Sequence, residues 1–521
     1  MSGGLIQLVA YGIEDIFLTR DPQITFFKVV YRRHTNFSTE PVKQFFVNDP
    51  DFGRKSTCIV GRNGDLIGNS ILVVTLPQVR NFTSETGTTV DQLTKFAWVK
   101  KIGYAIIDTI EIEIGGSLID RHYGEWLNIW SELTYRQTNE GYNKMIGNIA
   151  ELTDYSNGKD TFTLYIPLAF WFCRTSGLAL PVIALQYSDV KINVLFSDLD
   201  KCVLVTPTNY INIENDVVNF KDFEYIEQNV DGVISAGIFA KYDDLTKRLY
   251  YTQITRQPFQ TMTVANLDAL SPEARRQLVY SAKNTKYLIR GLESGAAAMP
   301  EFNSNPQTHS FNENILSELA IVEAYLLIEY IYLDEEERIK FVDTRHDYII
   351  EQLIQINSQT VESPNRKLHM NLIQPCKLLV WVVQYDYLTD TNNNDWFNYT
   401  DSYKYKDGKQ VGKSLVLNET ILLNGHERLS FRNYNYFNYT QPYQNFPYAP
   451  TEGINVYALG MFPSNPAPCG TCNMSQIDVT DVQLSMSKDI NLNNVAKFRG
   501  YSLGYNIYRI INGLGGIVFT R

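Results

Sequence analysis

Thr109-Ile-Glu-Ile-Glu-Ile114 runs into Gly115-Gly116 and out again through Ser117-Leu-Ile-Asp120. Ile110, Ile112 and Ile114 alternate with Glu111 and Glu113, the period-two pattern of a strand with one apolar and one wet face. Two glycines between such runs mark a tight hairpin, because both central positions of its turn need positive φ. The second half of the chain repeats the signal as Glu419-Thr-Ile-Leu-Leu423, Asn424-Gly425 and His426-Glu-Arg-Leu-Ser430. Downstream of each hairpin an alternating strand opens with Asp-Val: Asp189-Val-Lys-Ile-Asn-Val194, then Asp481-Val-Gln-Leu-Ser-Met486. The same features in the same order predict two copies of one β-domain.

Around these anchors the pattern continues. Residues 1–25 read as an N-terminal arm, and Ile24-Thr-Phe-Phe-Lys-Val-Val-Tyr31 as a first strand. Ser70-Ile-Leu-Val-Val-Thr-Leu76 is another, ended by Pro77. After the first hairpin a helix is expected, with Asp120 as N-cap. Trp126, Ile129, Trp130 and Leu133 would then share one face, packed over a sheet. Ser271-Pro272-Glu273 starts a second helix, and residues 345–356 place Ile349, Ile350, Leu353 and Ile356 near one face of a third. Ala320 to Leu333 reads as strand from its Tyr and Ile content. The polar, turn-rich stretch 200–235 sets the join, giving domains at 26–225 and 226–521. Asp386 to Lys409 and Phe431 to Pro450, rich in Asn, Tyr, Asp and Thr, read as long surface loops.

Composition agrees with a large folded β protein. The 521 residues are 44% hydrophobic and 20% charged, which excludes a disordered chain. Aromatics reach 13%, from 34 Tyr, 27 Phe and 6 Trp, and favour strands. A net charge of −11 argues against a chain that wraps nucleic acid, which needs surplus Lys and Arg. Six cysteines are far too few for a disulfide scaffold. The start lacks a basic segment and meets Glu14 and Asp15, so no signal peptide is read. Leu319 to Leu333 carries Glu323 and Glu329, so it is no membrane span. The expectation is synthesis in the cytosol with reduced thiols.

The search for chemistry ends without a site. The six histidines, His34, His122, His309, His346, His369 and His426, are scattered, so no metal cluster is expected. His426-Glu427 follows a hairpin turn, and the second ligand position holds Ser430. Cys469-Gly-Thr-Cys472 has no second pair and no redox-fold setting. Gly408-Lys-Gln-Val-Gly412-Lys413-Ser414 is one residue short of a phosphate-binding loop, and Gly513-Leu-Gly515-Gly516 lacks a following helix. Asp334-Glu-Glu-Glu-Arg338 reads as a solvated turn or helix end rather than a glycosidase pair. Lys28, Arg32, Arg33 and His34 are expected to end the first strand and pair with carboxylates. Sequons fall at Asn36, Asn81, Asn398, Asn418, Asn438 and Asn473, of which Asn398 and Asn438 lie in the polar loops and are the candidate glycosylation positions. No catalytic residue, cofactor or metal ligand is assigned.

Several segments together resemble one family. Gly3-Gly-Leu-Ile-Gln-Leu-Val-Ala-Tyr-Gly12 and Pro22-Gln-Ile-Thr-Phe-Phe-Lys-Val-Val-Tyr-Arg-Arg-His-Thr-Asn-Phe37 resemble the opening of the major capsid proteins of nucleocytoplasmic large DNA viruses. Ile110 to Ile119 with Tyr123-Gly-Glu-Trp126, and Leu178-Ala-Leu-Pro-Val-Ile-Ala-Leu-Gln-Tyr187, are similar too. In the second half the likeness extends over Tyr330-Ile-Tyr-Leu-Asp334, His346-Asp-Tyr348, Leu423-Asn-Gly-His426, Gly453-Ile-Asn-Val-Tyr457 and Gly470-Thr-Cys-Asn-Met-Ser-Gln-Ile-Asp478.

The resemblance implies an all-β chain of two consecutive eight-stranded antiparallel jelly rolls, with short helices between strands. It implies a homotrimer forming a pseudo-hexagonal capsomer that tiles an icosahedral shell. The implied partners are neighbouring capsomers, penton and minor capsid proteins. It also implies an inner membrane nearby without insertion, no direct nucleic-acid binding and no enzymatic activity. Localisation would be the virion, after assembly in the cytoplasm of the infected cell. The competing readings are a carbohydrate-active or carbohydrate-binding jelly-roll protein, and a minor vertex or fibre protein of the same virus class.

Overall fold

The computed structural model describes residues 3–10, 12, 19–29, 31–83, 89–135, 139–214, 218–265, 267, 271–281, 284–312, 314–406 and 408–519. After a short helix, Gly3–Val9, the chain carries β1 (Phe37–Phe45), β2 (Lys55–Ile59), β3 (Leu66–Leu76), β4 (Lys95–Trp98), β5 (Ile107–Ile114), β6 (Ser117–Tyr123), β7 (Phe162–Pro167), β8 (Val190–Phe196) and β9 (Val203–Thr206). Next come β10 (Asn209–Asn212), β11 (Tyr225–Val230), β12 (Val233–Asp243), β13 (Arg248–Gln253), β14 (Ile289–Gly291), β15 (Ala297–Ala298) and β16 (Gln307–Thr308), then β17 (Glu323–Leu333). The second half supplies β18 (His346–Val361), β19 (Asn365–Met370), β20 (Pro375–Tyr385), β21 (Tyr405–Lys406), β22 (Lys409–Gln410), β23 (Val416–Leu423), β24 (His426–Glu427), β25 (Arg432–Asn433), β26 (Ile454–Ala458), β27 (Cys472–Asn473), β28 (Thr480–Met486), β29 (Ala496–Ile511) and β30 (Leu514–Ile517).

Two jelly rolls of one topology emerge. In the first, sheet β1-β17-β3-β7 faces sheet β2-β8-β5-β6; in the second, β18-β29-β20-β26 faces β19-β28-β23-β24. The two hairpins read from sequence are β5–β6 and β23–β24, and the two Asp-Val strands are β8 and β28, each in the corresponding place. Ile110, Ile112 and Ile114 are fully buried between the first pair of sheets. Glu111, on the other face, is neutralised by Arg121 at 2.6 Å and Lys55 at 3.0 Å, which hold its carboxyl below the ordinary range despite burial.

The expected domain division does not coincide with the sheets. β17, at 323–333, lies between β1 and β3, so the first roll closes at Leu333 and not at 225. The stretch 200–235 is the entrance to an insertion, whose strands β10 to β16 form their own seven-stranded sheet. The expected first strand at 24–31 is also displaced. Its described residues are neither strand nor buried, with Phe26 90% and Phe27 97% exposed, and Val30 lies outside the described residues. The first strand is β1, thirteen residues further on.

Residues 345–356 form strand β18 and not a helix. Both faces of β18 are covered along its middle, so Ile350, Leu353 and Ile356 are all buried and their spacing mimics a helical stripe, while Ile349 at its start is 45% exposed. The helix after the first hairpin is real, at Gly124–Thr134, but its N-cap is Tyr123. Asp120 belongs to β6, where its carboxylate meets His122 Nε2 at 3.0 Å and accepts Leu353 N at 3.0 Å. The helix at Pro272–Tyr280 is capped as expected, Ser271 Oγ accepting Ala274 N at 3.2 Å.

Strand alternation puts the connections after β1, β3, β6 and β8 at one end of the first roll, here called the crown, and the others at the base. The second roll is aligned with it. At the crown Trp396 Nε1 donates to Lys201 O at 2.8 Å; at the base Tyr187 N donates to Gly513 O at 3.0 Å.

Candidate functional site

With no metal-holding cluster among the described residues, the joints and surfaces are what remain, and a joint between the rolls begins at helix Gly124–Thr134 of the first roll. Trp126, Ile129, Trp130 and Leu133 all face inward, as their spacing predicts. The sheet they cover belongs to the second roll: they pack with Leu353, Leu378, Val380, Val382, Ile454, Val456, Tyr501 and Leu503. Alternate residues of β20 therefore enter different cores, Leu378, Val380 and Val382 facing the helix and Leu379, Trp381 and Val383 facing the second roll's interior. That is why β20 reads as an unbroken apolar run.

Polar locks fix this apolar joint. Glu125, in the first turn of the helix, receives Arg499 Nε at 2.8 Å and Nη2 at 2.7 Å, a bidentate pair, and the hydroxyls of Tyr501 at 2.5 Å and Tyr399 at 3.1 Å. Burial pushes both phenols well above their usual range. Glu132 joins Lys101 Nζ at 2.6 Å to Thr451, whose N and Oγ1 donate at 2.9 and 2.6 Å. Nearer the base, Arg174 stacks on Trp130 at 4.2 Å and donates to Ser464 O at 3.0 Å. Glu351 is in direct contact with both Arg174 and Lys377; Glu351 and Lys377 are buried and Arg174 nearly so. Burial, then the adjacent guanidinium, pushes the Lys377 ammonium down. Charges buried this way would be costly singly, so the two rolls are tied in one arrangement.

The exposed counterpart is the segment before β1. Ile24, Phe26, Phe27, Val29 and Tyr31 are 70% or more exposed. Lys28, Arg32, Arg33 and His34 accompany them in the open, and the expected ion pairs are not formed among the described residues; His34 Nδ1 lies 2.7 Å from Thr35 O.

The remaining sequence candidates are placed as follows. Asp334 caps helix Glu335–Asp343 by accepting Glu337 N at 3.2 Å, and Arg338 pairs with Asp65 at 3.0 Å, so that cluster is a helix start. His426 and Glu427 are exposed in β24. Gly408 to Ser414 covers β22 and the residues that leave it, and Gly513 to Gly516 the turn into β30. Cys469 and Cys472 are free thiols, half-buried, Cys469 in a loop and Cys472 opening β27 against Cys376 of β20. Among the described residues no group of three or more His, Cys, Asp or Glu is arranged to hold a metal. The two glycosylation candidates are corrected by burial: Asn398 and Asn438 are both 0% exposed. Asn398 Nδ2 donates to Asp395 and to Ser402 O at 2.9 Å, and Asn438 Nδ2 to Thr451 O at 3.0 Å and Ile454 O at 2.7 Å. Asn36, Asn81 and Asn473 are the exposed sequons.

The apolar face of the joint, Trp126, Ile129, Trp130 and Leu133, is legible from its spacing as a face packed over a sheet, whereas its polar locks, Glu125, Glu132 and Arg499, are not. A bidentate partner such as Arg499, far away in the chain, leaves no local spacing to read.

Comparison with known proteins gives the context. Residues 25–236 match the model of the major capsid protein N-terminus, and residues 337–516 that of the large eukaryotic DNA virus major capsid protein. The chain is 42% identical to "Probable capsid protein 4" of Acanthamoeba polyphaga mimivirus, across 100% of this chain and 99% of the relative. It is 31% identical to the major capsid protein of Phaeocystis pouchetii virus, over 100% of both chains. Among solved structures, the Faustovirus major capsid protein superposes with a TM-score of 0.64 at 11% identity, covering 96% of this chain and 94% of that one. The capsid model of the PBCV-1 virus superposes with a TM-score of 0.60 at 21% identity, over 95% and 100%. The chain belongs to the major capsid protein family of large eukaryotic DNA viruses, whose members build the virion shell.

Proposed function

We propose that three copies of this chain form a pseudo-hexagonal capsomer, six jelly rolls in a ring, and that this capsomer tiles an icosahedral shell. The observation that carries the reading is the buried joint: two rolls of equal topology are locked side by side, so one subunit offers two near-equivalent corners. A trimer of such subunits is six-cornered without needing six chains. In this reading the subunit only builds, and has no enzymatic activity. Its partners are other capsomers, penton and minor capsid proteins, with an inner membrane beneath it that it does not enter and no nucleic acid bound directly. It is assembled in the cytoplasm of the infected cell. The segment preceding β1 leaves from the base and exposes apolar side chains beside cationic ones, which suits a strap to a neighbouring capsomer or minor protein.

Light scattering behind a sizing column tests the reading. A species of three times 59.8 kDa that persists on dilution is expected, and a persistent monomer from assembled particles would overturn it. Removing residues 1–22 should leave that mass unchanged and impair particle assembly. Unimpaired assembly would remove the arm from the mechanism.

A further inference from the structure

Where the crown connections of the two rolls meet, they line a half-open cavity of about 530 Å³ that shell building does not explain. Its carboxylates are already engaged. Glu132 holds Lys101 and Thr451, Asp395 accepts Tyr405 OH at 2.7 Å and Asn398 Nδ2 at 2.9 Å, and Glu452 accepts Tyr439 OH. Of the cations, Lys100 stands apart. Its Nζ lies 2.7 Å from the centre of the Tyr405 ring, with no carboxylate at ion-pair distance among the described residues. Asp395 and Asp154 act on it only from further off, while Lys101 is occupied and Lys409 stands at the rim.

The walls are aromatic. Tyr135, 49% exposed, stacks on Tyr142 with ring centres 5.0 Å apart and planes 19° from parallel, and Tyr439 is 36% exposed. A partly buried cation with no carboxylate at ion-pair distance among the described residues is costly, and an anion entering the cavity would remove that cost. Flat phenol rings lining the same cavity offer a surface for the C–H face of a sugar, and the cavity has the size of a small-ligand site rather than of a single inorganic anion. We propose that this inter-roll cavity binds an acidic saccharide, its carboxylate on Lys100 and a sugar ring against Tyr135.

Burial lowers Lys100 to about 8, the coulombic pull of Asp395 and Asp154 opposing it. The ligand needs the charged amine, so affinity should fall as pH rises through about 8. The experiment is isothermal titration of the purified full-length protein with a hyaluronan hexasaccharide, with chitohexaose as the neutral counterpart and inorganic sulfate as the bare anion. Saturable binding of hyaluronan alone is expected. Lys100→Met should weaken it at least tenfold and abolish its pH dependence. Tyr135→Ala, at an exposed ring that leaves the core intact, should weaken it severalfold and keep the pH dependence. No saturable binding, equal binding of chitohexaose, Lys100-dependent binding of sulfate at equal strength, or indifference to Tyr135→Ala would each overturn the proposal.

Discussion

Glu419 is a carboxyl in a place that the fold reserves for isoleucine. Counted back from the turns, it stands where β5 has Ile110; matched through pairing with β8 and β28, it stands where β5 has Ile112. Both isoleucines are fully buried, and so is Glu419. Trp381 Nε1 donates to Oε2 at 2.8 Å, Oε1 has no partner among the described residues, and burial pushes the carboxyl up to about 8. The unfolded group titrates near ~4.3, so folding takes up a proton between these values. The contribution of Glu419 to stability is therefore greatest below the unfolded value and falls as pH rises towards about 8, by a few kcal/mol in order of magnitude. Glu419→Gln keeps an acceptor for Trp381 and never ionises. The difference in unfolding free energy between variant and wild type, from denaturant titrations, should be near zero at acid pH and grow in favour of Gln up to about pH 8. A difference independent of pH would refute the buried acid. The repeat made this residue findable from sequence, by aligning the two hairpins. The burial of Asn398 and Asn438 was not findable that way: an Asn-rich segment reads as solvated loop, yet a buried irregular backbone needs amides to satisfy its carbonyls.

At the scale of elements, strong local signals survived and borrowed ones did not. The hairpins β5–β6 and β23–β24 carry their turn chemistry with them, Gly115 and Gly116 at positive φ in one and Asn424 and Gly425 in the other. β18 was misread because its second covering layer comes from another part of the chain, and 24–31 because aromatic and β-branched content marks a segment that wants burial without saying what provides it. The passage from β6 into helix Gly124–Thr134 shows the opposite case, a constraint visible only in space. A Cβ on Gly124 would fall well inside contact with the carbonyl oxygens of Tyr104 and Ile107, both backbone atoms. Gly124→Ala must move either the helix or the segment before β5, and overpacking of this kind costs about 3 kcal/mol. Because the helix is also the joint, the loss should appear as a lower denaturant midpoint together with exposure of Trp126 and Trp130 fluorescence. Gly177→Ala, with nothing within 4 Å of the added atom, is the control expected to leave both unchanged. Equal behaviour of the two variants would mean that the close approach carries no weight.

For the whole molecule, the two-domain plan was legible and its boundary was not, since a polar stretch marks an insertion's entrance as readily as a linker. The insertion leaves and returns at one point: Asn209 pairs with Thr308, and just outside them His309 N donates to Thr208 O at 2.8 Å. It has its own core around Ile211, Ile226, Leu249, Tyr251 and Ile289. Its ties to the second roll lie on the crown, with Arg256 between Asp386 and Asp390 at 2.8 and 2.9 Å, Asn393 Nδ2 on Ile254 O at 2.7 Å, and Tyr403 on Glu227. The Arg256 pairs are largely solvated and contribute roughly 1 kcal/mol at most. None of these ties reaches the joint at helix Gly124–Thr134. Excising 209–308 and closing Thr208 to His309 with Asn-Gly should therefore give a chain that keeps both rolls. Its melting temperature should drop modestly, its far-ultraviolet β signature should persist, and its mass by light scattering should correspond to the same number of subunits as the full chain. An insoluble product, or one that changes its subunit number, would show that the insertion helps to hold the rolls or the capsomer together, and the crown would then count as part of the shell's frame.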